Sequence, residues 1–170
     1  VYGPDHQEVV NSLVNFAILY SDQKKFDLAE TLHRQALKIQ EKTFGPDHPE
    51  TALILENIAF IYREKKLYGE AVSLFQRALS IWENQPEEYK AELSSNLHSL
   101  AHIYYRFLNQ PEKAEPYLKR ALDIREEILG PDDPELKETI TDYVDLLRSQ
   151  GREEEAKKLE ARIRQPSFPF

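Results

Sequence analysis

The chain has 170 residues with 30 acidic against 22 basic side chains, a formal charge of −8, 41% hydrophobic residues and no cysteine. A chain of this length builds a core without covalent staples, and the absence of cysteine removes thiol nucleophiles, thiolate metal sites and disulfides. The acidic balance argues against nucleic acid or an anionic membrane as partner, and no apolar run approaches the roughly 20 residues of a membrane span.

Only five glycines, and no Asn-Gly or Gly-Gly between alternating runs, predict helices throughout. In chain order the organising feature is a repeat. Gly3-Pro4-Asp5-His6 recurs as Gly45-Pro46-Asp47-His48, is eroded to Asn84-Gln85-Pro86-Glu87-Glu88-Tyr89, and returns as Gly130-Pro131-Asp132-Asp133. Each linker precedes a helix, a short turn and a second helix, so the repeats span residues 3–44, 45–86, 87–129 and 130–164, followed by a tail at 165–170. Alanines fix the register: Ala17, Ala29 and Ala36 recur 42 residues later as Ala59, Ala71 and Ala78. In the third copy Ala101 keeps that spacing while Ala114 and Ala121 are displaced by one more residue, which places an insertion in the turn around Leu108-Asn109-Gln110-Pro111. The fourth copy has Val144, Ala156 and Ile163 at these positions and a run of Glu, Lys and Arg from Glu153 to Arg164, the pattern of a solvated terminal cap.

The linkers read as stop and start signals. Gly45 suits the positive φ that ends a helix, Pro46 prevents continuation, and Asp47 with Glu50 caps the next helix; Asp5 with Glu8 and Asp132 with Glu135 repeat the pair. The same Asp and His residues have the chemistry of metal ligands or an acid/base pair, but their recurrence at helix starts fits capping. Pro116 falls inside a helical stretch and removes a backbone hydrogen bond unless it lies in the first turn.

The order Leu-x-x-x-Ala-x-x-Tyr, turn, Ala, aromatic or Leu, Ala-Leu resembles the tetratricopeptide repeat. It is carried by Leu13, Ala17, Tyr20, Ala29 and Ala36-Leu37; by Leu55, Ala59, Tyr62, Ala71, Phe75 and Ala78-Leu79; and by Leu97, Ala101, Tyr104, Ala114, Leu118 and Ala121-Leu122. His33 stands at the aromatic position of the first copy. The 42-residue period, with Phe44 to Pro49 and Leu129 to Pro134 as linkers, is similar to the kinesin-light-chain type. The resemblance implies an all-α, right-handed superhelical solenoid of antiparallel helix pairs whose first helices line a concave groove that receives a peptide or helix. By family register the groove positions fall on Asn11, Val14, Ile18, Glu56, Phe60, Arg63, His98, His102, Tyr105, Arg106, Thr141, Asp145 and Arg148. Members that clamp a C-terminal carboxylate use Lys and Asn where this chain has Val14, Ile18, Glu56, Phe60, His98 and His102, so that clamp is not expected.

The expected function is a non-enzymatic interaction scaffold with no cofactor. Arg63, Arg106 and Arg148, beside Phe60 and Tyr105, offer pairing to acidic and stacking to aromatic groups of a peptide, unless Glu64, Glu138 and Asp145 neutralise them internally. The alternative is a metal-dependent hydrolase or sensor built on His98 and His102, four apart on one helix face, with Asp145 or Glu56 as third ligand. Weak self-association is expected through an apolar N-terminal face (Val9, Val10, Leu13, Phe16) or through the two phenylalanines of the tail. A chain with no methionine that opens Val1-Tyr2-Gly3-Pro4 reads as a piece of a longer protein, soluble and cytoplasmic.

Overall fold

The structure, a computed structural model, describes residues 7–164 with side chains to residue 162. Among the described residues it is helical throughout: α1 (Gln7–Asp22), α2 (Phe26–Phe44), α3 (Pro49–Glu64), α4 (Tyr68–Trp82), α5 (Lys90–His102), α6 (Pro111–Ile128), α7 (Pro134–Ser149) and α8 (Glu153–Arg164). No described helix is long and apolar enough to cross a membrane. The chain divides between Gln85 and Pro86 into two compact units of two helix pairs each.

Every alanine of the register, from Ala17 through Ala121 and again at Ala156, is fully buried. A methyl group at these points lets two helix backbones approach, and a larger side chain would hold them apart. In the first unit Ile54 and Ile58 of α3 pack on Val10 and Ala36, with Leu13, Val14, Leu37 and Ile39 at the margin. In the second unit Leu136, Ile140, Val144 and Leu147 of α7 pack between Leu122 and the Ala156–Leu159 face of α8. Pro116 lies inside α6, beyond the first turn, on an exposed face, so α6 lacks the backbone donor at that residue.

Two sequence expectations are corrected here. The N-caps lie one residue later than Asp47 and Asp132: His48 Nδ1 accepts from the Glu50 N–H at 3.2 Å, and Asp133 Oδ1 accepts from the Glu135 N–H at 2.8 Å. A proline follows each as the first helical residue, so the side chain before it is the one aimed at the free N–H groups. Gly45 has φ +96°, as expected of a helix stop, whereas the helix before Gly130 ends at Leu129 in extended backbone. The Asp5 cap and the tail lie outside the described residues.

The inserted residue of the third repeat is not in the turn. All four turns are three residues long, 23–25, 65–67, 108–110 and 150–152, and each carries one left-handed residue: Lys24, Lys66, Asn109 and Gly151. The extra residue widens the end of the preceding helix instead, where Ile103–Phe107 form a π-turn closed by the Leu108 N–H on the Ile103 carbonyl at 3.1 Å. The turn-closing bond shows the same shift. It joins Lys25 to Tyr20, Leu67 to Tyr62 and Arg152 to Leu147, but Gln110 reaches back one residue further, to Tyr104. A helix absorbs one residue as a local π-bulge, which leaves the turn after it intact. The bulge also doubles a side chain: Tyr104 stays buried, stacked on Tyr117 at 5.9 Å, while Tyr105 is turned to the face of the first helices.

Candidate recognition faces

In the first unit, α1 and α3 lie side by side and leave a cavity of about 310 Å³ between them. Its lining is aliphatic from the buried Val10 and Ile54, the half-buried Val14 and the exposed Leu53, and polar from Asn11, Asn15, Asn57 and Glu50. The Gln7 amide donates to Asn11 Oδ1 at 3.1 Å and to Glu50 Oε2 at 2.6 Å, tying the two helices together at one end. Of the residues expected here, Asn11 and Val14 line the cavity. Ile18 is exposed beyond it, and Glu56 is taken up by the Trp82 indole N–H at 2.9 Å. Phe60 is exposed, with the Arg63 guanidinium 4.5 Å from its ring centroid and paired to Glu64 at 3.1 Å. Asn15 and Asn57 were not singled out by the family register, yet they are one repeat apart in identical type. An amide recurring at the repeat period was the available signal.

The corresponding face of the second unit, from α5, the π-turn and α7, is closed by its own charges. His98 Nε2 lies 3.0 Å from Asp142 Oδ2, and Arg106 Nη2 reaches both Asp142 Oδ1 and Asp145 Oδ2 at 3.1 Å. Tyr105 donates its hydroxyl to the Asp145 carbonyl at 3.2 Å, and its ring lies 5.0 Å from the Arg106 guanidinium. Burial alone would raise the Asp142 carboxyl, but the hydrogen bonds from His98 and Arg106 outweigh it and hold the group below the ordinary carboxylate range. The same hydrogen bond from Asp142 raises the Arg106 guanidinium. Thr141 turns its hydroxyl back to the Lys137 carbonyl at 2.8 Å, and Arg148 is held by Glu160 at 2.9 Å and Glu153 at 3.5 Å. The arginines expected to meet a ligand thus carry internal partners. Glu64 and Asp145 were foreseen in that role; Asp142, Glu153 and Glu160 were not.

The histidine pair does not converge. His98 is oriented by Asp142, while His102 packs edge-on against Phe107 at 5.4 Å, and neither expected third ligand, Asp145 or Glu56, joins them. Among the described residues no three His, Asp or Glu side chains come within reach of a common metal ion.

Helix pairs repeated in register on buried alanines, presenting side-chain-lined faces, define a helical-repeat interaction module. The chain belongs to the tetratricopeptide repeat family, whose model matches residues 8–84, 50–127 and 92–164. No curated protein sequence matches it significantly. Among solved structures it is similar in fold to BtubC (BKLC) from P. vanneervenii, at 22% identity and a TM-score of 0.81, over 100% of this chain and 69% of that one. It is also similar to a kinesin-light-chain-type protein of Podosopora anserina with nearly identical TPR-like repeats, at 22% identity, TM-score 0.77, covering 96% and 77%. A third is YrrB, a TPR protein with an unusual peptide-binding site, at 23% identity, TM-score 0.64, covering 89% and 65%.

Proposed function

We propose that the chain is a non-enzymatic scaffold that holds a peptide segment of a protein partner against the first-helix face of its N-terminal unit. The observation that carries this reading is the cavity between α1 and α3, lined by aliphatic side chains and side-chain amides. Side-chain amides offer both donors and acceptors to a peptide main chain, and the aliphatic lining takes one apolar side chain from water. Arg63, stacked on Phe60 further along α3, supplies a docking point for an acidic group of the peptide, and its exposed pairing to Glu64 is weak enough to exchange. The likeness to a TPR protein with a peptide-binding site supports the same use of the fold. Peptides panned from a random library against the full chain should lose at least about tenfold in affinity on Leu53→Glu, roughly 1.4 kcal/mol, with helical content unchanged. Selected peptides that bind this variant as well as the parent place recognition elsewhere.

A further inference from the structure

From one unit to the other the sequence repeats with an offset of 85 residues, which carries Ala71 to Ala156 and the linker Gly45-Pro46-Asp47 to Gly130-Pro131-Asp132. The same offset carries the ion pair of Arg77 with Glu41, at 2.6 Å, to that of Arg162 with Glu126, also at 2.6 Å. Beyond Arg77 the first unit runs on to Ile81 and Trp82, which are 3% and 2% exposed, and the Gln85 amide then donates to the Asp47 carbonyl of the linker at 3.4 Å. The counterparts of Ile81, Trp82 and Gln85 are Pro166, Ser167 and Phe170. Helix α8 ends at Arg164, and a proline at 166 cannot extend it without loss of a backbone hydrogen bond. The second unit therefore has no helical counterpart of the Ile81 and Trp82 pair.

It has instead a cavity of about 400 Å³ between α6, α7 and α8, lined on its apolar side by Leu129, Pro131, Leu136, Ile140 and Ala161. The lining is more apolar than the matching positions of the first unit. Leu136 stands where the Thr51 hydroxyl donates to the Gly45 carbonyl at 3.1 Å, and Ala161 stands where the first unit has Gln76. Residues 165–170 read Gln-Pro-Ser-Phe-Pro-Phe, a stretch with no charged side chain and two aromatic ones. Phe168 is four residues past the end of α8, roughly 13 Å of extended chain, and Ala161 and Arg162 near that end already line the cavity, so Phe168 reaches it without unwinding the helix. Each proline brings a fixed φ and no N–H, so a turn back onto apolar surface strands fewer donors and costs less chain entropy than it would for an ordinary segment. We infer that residues 165–170 fold back over their own unit and that Phe168 enters the cavity between α6, α7 and α8.

Nuclear magnetic resonance of the full chain tests this. Overhauser contacts should run from the Phe168 ring to the methyl groups of Leu136 and Ile140, and those methyl signals should lie upfield of their positions in Phe168→Asp, which removes the shielding ring. Phe168→Asp should abolish the contacts. Ala161→Gln, which puts into the cavity the side chain that the first unit carries at that position, should abolish them too, with helical content unchanged. In a mixture of isotope-labelled and unlabelled chains, contacts between different molecules should be absent. The inference is overturned if Phe168 makes no such contacts, if Phe170 makes them in its place, or if they persist in Ala161→Gln. Contacts that join two chains in the mixed sample overturn it as well, because the segment would then sit on a neighbouring molecule.

Discussion

The two units solve one packing problem with different chemistry. A single register position, near the end of the second helix, holds Gln40 and Trp82 in the two repeats of the first unit and Arg125 in the third repeat, in the second unit. Trp82 is buried and anchors its indole N–H on Glu56, so that joint is an aromatic wedge with one polar contact. Arg125 is 3% exposed and is held by the Glu135 carbonyl at 3.1 Å, the Thr139 hydroxyl at 2.5 Å, Ser94 at 3.4 Å and the Glu135 carboxylate at 3.1 Å. The candidate faces divide in the same way. The first unit keeps a cavity lined by aliphatic side chains and amides, and the second fills the equivalent face with His98, Arg106, Asp142 and Asp145 bound to one another. A repeat fixes backbone and small-residue contacts, while the side chains at the seams and on the face are left to vary.

Substitutions at the two seams should separate them. Trp82→Ala removes a large buried ring and should cost about 3–5 kcal/mol of stability, measured by urea denaturation. His33 gives the first unit a pH dependence of its own. It is 1% exposed, Nδ1 has no hydrogen-bond partner, and burial lowers its pKa to about 4. A histidine that binds its proton less readily folded than unfolded loses stability as pH falls from about 6.5 towards 4, by about 3 kcal/mol at pH 4. Phe75 occupies the same register position in the second repeat, so His33→Phe should fit, and its advantage over the parent should grow by that amount between pH 7 and pH 4. A constant difference across that range would show that His33 is not the titrating group.

Arg125→Met keeps much of the buried volume but loses charge-assisted bonds, and should cost about 2–3 kcal/mol in the same denaturation experiment. Burial works against the charge here, lowering the Arg125 pKa, so the seam is worth less than its number of contacts suggests. The smallest effect is expected on the second unit's face. Arg106 is partly exposed and shared between two carboxylates, so Arg106→Ala should change stability by no more than about 1 kcal/mol, with the loss shrinking further at high salt.

The fold was legible because it rests on a coupled pattern. Ten alanines at fixed spacing, interrupted once by a single residue, define helix pairs that the structure reproduces. The place of the interruption was not legible, since spacing locates an insertion only between Ala101 and Ala114 and cannot distinguish a longer turn from a widened helix. The caps were displaced by one residue because Asp47 and His48 both have acceptors, and only the backbone before Pro49 decides which of them points at the free N–H groups. On the candidate faces the register named positions but not their partners. Whether an arginine meets a ligand depends on carboxylates some 36 to 39 residues away, as with Arg106, Asp142 and Asp145.

The account rests on the first unit's face being the one that a peptide enters. Nuclear magnetic resonance of the full chain, titrated with a peptide selected on it, reads this residue by residue through the side-chain amide signals of Asn11, Asn15 and Asn57 and the backbone signal of Leu53. These should shift in a saturable way, while the backbone signals of Arg106, Asp142 and Asp145 stay within the spread of the unperturbed residues. Saturable shifts confined to the second unit, with the asparagine amides unmoved, would contradict it.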